Sequence, residues 1–454
     1  MPVNSFVEKP LSWTPSFEIK KEASKYLSLA AQLENDIRSG KLPSGVKLPP
    51  QRELADYLDI DFTTVTRAYT VCREKGLIYG ITGRGTFVST INNSQDATNS
   101  FNCAVVQGFS ELGAEEISKA AIDVISRTPA SELFSYSNRD GSPRSRTAGQ
   151  NYLKQNGIIL PAEQIAIFPG AQGAISAALL SLFNAGDKIA VDEFTYANFI
   201  SLSRLAKIKL IPILSDCDGM MPNKLEEGIK SLNIKGVYLM PNAANPTGIT
   251  LSEKRKDELA HVISKNNLLL IEDDATLMFG KRRSKPFFKR LPTKTLYIAG
   301  STRYIAPGLR ATFVAYPKQY ATSILSAMHH ITIKAGILDA EILSEIVLSG
   351  KAEKILEKKA KKARAANNIF NKIFPKTFHP EDTLLFRTIP LPETAGKGQE
   401  IEKKCREAGV EICHSDRFSV RAGLENSFIR VSLSSAPTLS ELKEALKLLK
   451  KTLF

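Results

Sequence analysis

Apolar positions follow two different periodicities, and the change near residue 100 divides the chain. Over residues 22–39, Tyr26, Leu27, Leu29, Ala30, Leu33 and Ile37 recur at helical spacing, and Gly40 suits the stop. Leu48-Pro-Pro-Gln-Arg-Glu-Leu-Ala-Asp-Tyr-Leu58 predicts a short helix with proline near its start. Asp61 is placed to cap a third, amphipathic helix that runs to about Lys75, and residues 76–88 alternate around glycines as a hairpin does. Residues 90–100 are polar without an apolar period and predict a flexible linker. Beyond it, strand-like runs at 165–168, 188–191, 210–213, 236–240, 268–271, 296–298 and 311–316 alternate with helical stretches. That alternation predicts a mostly parallel sheet covered on both faces, with ligands bound beyond the carboxyl ends of its strands. A lysine-rich helical pattern follows from Ala340 to about Phe374, then strands containing proline and a last helix over 439–451.

Composition changes this picture little. With 454 residues and 43% hydrophobic content, two or three domains can each bury a core. No apolar run approaches a membrane span and the first residues do not read as a signal peptide. Cys72, Cys103, Cys217, Cys405 and Cys413 are scattered and odd in number, which fits a reducing cytoplasm and small buried hydrophobes rather than metal ligands. The net charge of +14 suits an acidic partner such as nucleic acid. Residues 1–90 hold 12 Lys and Arg against 10 Asp and Glu, however, so most of the excess lies further on and does not locate a nucleic-acid surface.

Three motifs in the first ninety residues do locate one. Leu-Pro-Pro-Gln-Arg-Glu-Leu-Ala, then Thr-Val-Thr-Arg-Ala-Tyr, then Gly-Arg-Gly-Thr-Phe-Val stand in order along helix, turn, helix and hairpin. This closely resembles the winged helix-turn-helix of the GntR family. The resemblance implies that Arg52, Thr63, Thr64 and Arg67 face the major groove and flanking phosphates of double-stranded DNA. It implies that Arg84 and Gly85 form the wing tip, at the minor groove or a phosphate. Phe62 stands where many relatives carry an arginine, and its loss removes a guanine reader.

The loops of the larger part resemble fold-type I aminotransferases, the pyridoxal phosphate (PLP) enzymes. Pro169-Gly-Ala-Gln-Gly173 opens a helix, and a helix start suits a phosphate, here at Gly170, Ala171 and Gln172. Asp192-Glu-Phe-Thr-Tyr196 resembles the segment whose ring stacks on the cofactor, which nominates Tyr196. The resemblance implies Asn245 of Asn-Pro-Thr-Gly for the ring oxygen and Asp273 for the pyridine nitrogen. It further implies Arg310 of Pro-Gly-Leu-Arg for the phosphate and Arg430 of Phe-Ile-Arg-Val-Ser for a substrate carboxylate. The departures fall together: Arg303 stands at the Schiff-base lysine position, Ala275 where a tyrosine is usual, and Gly300 where a Ser or Thr helps hold the phosphate. A guanidinium stays protonated and delocalised, so it does not attack an aldehyde as a neutral lysine amine does.

A GntR-type head joined to an aminotransferase-like domain resembles the MocR group of bacterial regulators. The expected architecture is α/β: residues 1–89 a winged helix-turn-helix, 90–100 a linker, 101–338 a PLP-transferase-like large domain and 339–454 a smaller C-terminal α+β subdomain. The expected function is regulation of transcription by a cytoplasmic homodimer that senses a small anionic metabolite. No transaminase activity, metal or covalent cofactor is expected, and PLP enters only as a non-covalent ligand. Two alternatives stand beside it. One is a working aminotransferase that uses another lysine, Lys281 or Lys294 being nearest in sequence; the other is a ligand-free dimerisation scaffold in which Arg303 pairs with Asp273.

Overall fold

The structure, a computed structural model, describes residues 11–15, 24–39, 41–43, 45–75, 77–81, 85–89, 100–136, 140–274, 285–300, 304–377, 379–392, 396–421 and 427–454. The chain forms two compact units, Met1–Asn99 and Ser100–Phe454. The expected linker lies outside the described residues except for Ser100.

The first unit has helices Lys25–Arg38, Gln51–Leu58 and Phe62–Glu74, then strands β1 (Ile78–Ile81) and β2 (Gly85–Val88) paired antiparallel. Asp61 caps the third helix, its Oδ1 accepting from the Thr63 amide at 2.7 Å and from the Thr63 hydroxyl at 2.5 Å. The periodic apolar residues Leu29, Leu33 and Ile37 meet Leu54, Val65, Tyr69 and Val88 in one core, and the Tyr69 hydroxyl donates to the Pro49 carbonyl at 3.0 Å. Two features go beyond the periodicity. The segment before the second helix lies along the wing, where Leu48 N–H reaches the Thr86 carbonyl at 2.8 Å and Val88 N–H the Val46 carbonyl at 2.9 Å. Trp13 is buried in the same core, and its indole donates to Asp36 Oδ2 at 2.8 Å.

The second unit is built on a seven-stranded sheet. Its strands are β3 (Ile165–Phe168), β4 (Lys188–Asp192), β5 (Lys209–Ile213), β6 (Ile234–Leu239), β7 (Leu269–Asp274), β8 (Thr295–Ala299) and β9 (Thr312–Ala315). The spatial order is β3-β9-β8-β7-β6-β4-β5, with β9 alone antiparallel to its neighbours. Residues of β7 and β8 are buried throughout, the mark of strands covered on both faces. The smaller C-terminal sheet runs β10-β12-β11, from β10 (Phe386–Pro390), β11 (Cys413–His414) and β12 (Phe428–Ser432). It packs on helices Lys351–Ile373 and Leu439–Leu453, and a Thr438–Glu441 capping box starts the latter.

The continuous lysine-rich pattern expected over 340–374 is two helices, Ile337–Leu348 and Lys351–Ile373, interrupted where Gly350 takes φ 70°. The first packs with Ala120, Val124 and Leu153 beside the large sheet. The boundary drawn between residues 338 and 339 therefore falls inside a helix that belongs to the larger core. No helix among the described residues is long and apolar enough to cross a membrane.

Candidate functional site

In the first unit, Arg52, Thr63 and Arg67 are exposed on the second and third helices, Thr64 is half-buried, and Gly85 is exposed at the start of β2. The two helices are tied by the Thr66 hydroxyl, which donates to Gln51 Oε1 at 2.9 Å. The Arg52 guanidinium lies over the Phe62 ring, 5.7 Å from its centroid. The aromatic that replaces the usual arginine thus braces a neighbouring one. Arg84 lies outside the described residues.

In the second unit the nominated loops share one edge of the sheet. Strands β3, β4, β6, β7 and β8 run the same way, so the segments after them emerge together, and the antiparallel β9 begins at that edge. Gly170 opens the helix Gly170–Leu182 with φ 71°, which an L side chain rarely adopts. A Cβ there would stand 2.6 Å from Arg310 Nη2, so the exposed Arg310 guanidinium lies against the helix start. Ala171 and Gln172 follow in its first turn. Tyr196 precedes the helix Ala197–Leu205; its hydroxyl accepts from Asn198 Nδ2 at 3.2 Å and reaches Gln172 Oε1 at 3.5 Å. Five nominated residues, Gly170, Ala171, Gln172, Tyr196 and Arg310, therefore converge at a helix N-terminus, an arrangement that favours an oxyanion.

The other nominated groups hold protein partners. Asn245 Oδ1 accepts from Arg430 Nη1 at 2.8 Å, Arg430 Nη2 also donates to the Ala104 carbonyl, and the guanidinium lies 4.8 Å from the Phe418 ring centroid. Asp273 Oδ2 accepts from the Tyr238 hydroxyl at 2.8 Å, and the Tyr238 ring stacks on Phe199 at 3.7 Å. Next along β7, Asp274 takes the Tyr297 hydroxyl at 2.7 Å and Asn242 Nδ2 at 3.0 Å. Burial pushes the Asp274 carboxyl above its usual range, and those two bonds pull against it. Arg303, Ala275 and Lys281 lie outside the described residues. Gly300 is described, its N–H bonded to the Asp274 carbonyl at 3.1 Å. Lys294 directly precedes β8, at the opposite end of that strand from Gly300, and donates to Asn267.

Sequence reasoning missed Tyr238, whose hydroxyl period-2 patterning hides inside an apolar strand, and Lys359. The latter is fully buried on the helix Lys351–Ile373 and donates to the Ile305 carbonyl at 3.2 Å; burial pulls its amine down to about 8. Its unbroken helical surroundings resemble any solvated lysine run, so only its burial distinguishes it.

Comparison with known proteins agrees with both units. Residues 25–88 match the bacterial regulatory proteins of the gntR family, and residues 108–449 match aminotransferase class I and II. The HTH-type transcriptional regulator YdeF of Bacillus subtilis (strain 168), described as uncharacterized, is 33% identical over 464 residues, covering 100% of this chain and 99% of that protein. The vitamin B6 salvage pathway transcriptional repressor PtsJ of Salmonella typhimurium is 26% identical over 313 residues, 67% of this chain and 69% of its own. Among solved structures, an archaeal alanine:glyoxylate aminotransferase superposes with a TM-score of 0.74 at 22% identity, over 79% of this chain and 91% of that one. The chain belongs to the family of MocR-like transcriptional regulators that join a GntR helix-turn-helix to an aminotransferase class I and II domain.

Proposed function

We propose that the aminotransferase-like unit senses a small anionic metabolite held without a covalent bond, carries out no transamination, and sets how paired DNA-reading heads meet their half-sites. The observation that carries this reading is the Gly170–Arg310 cradle, kept in a chain whose residue 303 is arginine. The cradle fits the phosphate of PLP, and Asp273 supplies the carboxylate expected beside a pyridine nitrogen. PLP brings a phosphate and an aldehyde; in this reading Gly170, Gln172 and Arg310 bind the first, and Arg303 offers the second a charge rather than an amine. An amino acid carboxylate at Arg430 is the other ligand chemistry the site suits. The effector reading predicts that gel-shift affinity for the native promoter changes at least about fivefold, or ~1 kcal/mol, with PLP or another phosphorylated or carboxylated metabolite. Arg310→Gln should abolish a phosphate-dependent change while leaving basal DNA affinity intact. Indifference to every such metabolite would sink the sensing idea.

In the head, Arg52 on its Phe62 support is proposed to read a base edge, with Thr63, Thr64 and Arg67 at the groove and its phosphates and Arg84 and Gly85 at the wing. Arg52→Ala should then weaken specific binding by about 1–3 kcal/mol and relax preference at one base position. Arg67→Gln should weaken all sequences alike and lower the salt slope by about 1. Gel shifts over a salt series with a randomised half-site check both, and equal losses on every sequence for Arg52→Ala would refute its reading role.

A homodimer is supported by exposed apolar side chains at Ile122, Ile125, Phe134 and Tyr136. The working compartment in this reading is the cytoplasm. A ligand-free scaffold is the second reading, favoured by the protein partners that Asn245, Asp273 and Arg430 already hold.

A further inference from the structure

Among the described residues, the outer edge of β10 carries a group of hydrogen-bond donors that no loop motif predicts. Among the described residues β10 pairs with β12 alone, in a register that sets Thr388 opposite Arg430. The Leu433 N–H bond to the Leu385 carbonyl, 2.8 Å, and the Leu391 N–H bond to the Ser427 carbonyl, 2.9 Å, put the odd-numbered residues in the hydrogen-bonded pairs. The N–H groups of Phe386 and Thr388 therefore point away from β12. Along this edge opens a cavity of about 210 Å³, lined by Thr247, Thr377, His379, Phe386, Arg387 and Thr388 among others. At roughly 30 Å³ per water it has room for about seven, the scale of a small metabolite.

Arg387 is the central group. It is 3% exposed, yet every partner it has among the described residues is neutral. Nη1 donates to Asn367 Oδ1 at 3.2 Å and Asn371 Oδ1 at 2.9 Å, Nη2 donates to the Thr377 carbonyl, and the guanidinium lies 4.6 Å from the Phe370 ring centroid. Among the described residues no carboxylate lies within ion-pair distance of it, and three of its five N–H groups are used. Glu381, the near carboxylate in sequence, is turned to the Thr383 amide and hydroxyl. Burial lowers the guanidinium to about 10, as expected for a cation taken from water without a counter-ion. His379 accepts the Glu381 amide on Nδ1 at 3.1 Å and also bonds the Gly248 backbone, so its ring lines the cavity already engaged. Arg387 neighbours Thr388 along the strand, so its side chain leaves the face opposite Arg430 and does not belong to the substrate-carboxylate position.

We propose that this cavity is a second oxyanion site, in which Arg387 and the edge N–H of Thr388 hold the carboxylate or phosphate group of a small metabolite. It does not depend on the cradle at Gly170. Inorganic phosphate and acetate are the probes, measured by equilibrium dialysis on the full chain, and whichever binds identifies the source of the oxyanion. Wild type is expected to bind one of them, Arg387→Met to lose at least tenfold in affinity, and Arg310→Gln to retain this site. Thr247→Glu, which leaves Arg387 in place and sets a carboxylate on the cavity wall, should abolish binding and raise the melting temperature. That variant keeps the test decisive if Arg387→Met does not fold. Binding that survives both Arg387→Met and Thr247→Glu but disappears in Arg310→Gln would overturn the second site and leave the cradle standing. No binding of either probe to wild type would also overturn it.

Discussion

Arg303→Lys is expected to yield one borohydride-reduced pyridoxyl adduct per chain, where the wild type yields none on a specific pocket lysine. In the proposed reading Gly170 and Arg310 bind the phosphate and Asp273 faces the ring nitrogen, so the substitution changes the residue at 303 and leaves those groups in place. Lysine can be deprotonated by burial and then attacks an aldehyde; a guanidinium does neither. Intact and peptide mass spectrometry after reduction reads the outcome directly. An adduct on wild type would revive the enzyme reading, and its position would say how. Lys294 is the weaker candidate, because it sits at the far end of β8. Lys359 is the stronger, because its amine is pulled down to about 8 and bonds Ile305, two residues beyond position 303. A clean Arg303→Lys adduct beside a silent wild type would support a pocket that has lost only its covalent anchor.

Glu272→Ala should cost about 3–5 kcal/mol of stability, the largest loss expected from a single substitution in this sheet. Glu272 is fully buried in β7, and its two oxygens accept the Phe287 amide at 2.9 Å and the Phe288 amide at 3.0 Å. Those amides begin the short helix Phe287–Arg290 and have no intrahelical acceptor of their own. Alanine would strand both donors and remove the carboxyl that faces the buried Lys256, whose amine also reaches Asn242 Oδ1 at 3.4 Å and the Lys285 carbonyl at 3.3 Å. Glu272→Gln keeps the volume and one acceptor, so it should lose less than half as much. Burial and then the Asp274 charge push the Glu272 carboxyl up to about 8, against the pull of Lys256 and the two amides. The folded chain thus holds this proton more tightly than the unfolded one, whose carboxyl titrates near 4.3. The contribution is most favourable in acid and declines as pH rises from about 4 through 8. Urea melts at pH 5 and pH 8 check both points; a pH slope unchanged in Glu272→Gln would refute the assignment to this carboxyl.

Much of this was legible in the residues because local physics sets it. Helical and alternating apolar periods mark the elements of the head, and Asp61 caps its third helix as its chemistry suggests. Glycine at Gly170 announces a backbone conformation that other residues avoid, and seven apolar runs placed all seven strands of the sheet. The break at Gly350 was missed because lysines continue the helical period across it, and periodicity does not see a left-handed backbone angle. Trp13 was missed because a single aromatic in a short polar segment has no period; its burial depends on a hydrogen bond to Asp36, 23 residues away.

The sequence by itself determined which residue types stand at the loop ends, above all the arginine at 303, and the order in which strands and helices follow. Those are properties of spacing and side-chain chemistry. Only the tertiary structure decided which side chains hold one another: Arg430 with Asn245, Asp273 with Tyr238, Arg52 over Phe62, and Arg387 among neutral acceptors. Each of these depends on burial and on contacts between segments distant in the chain, and an ion or hydrogen-bond donor takes its character from what surrounds it after folding.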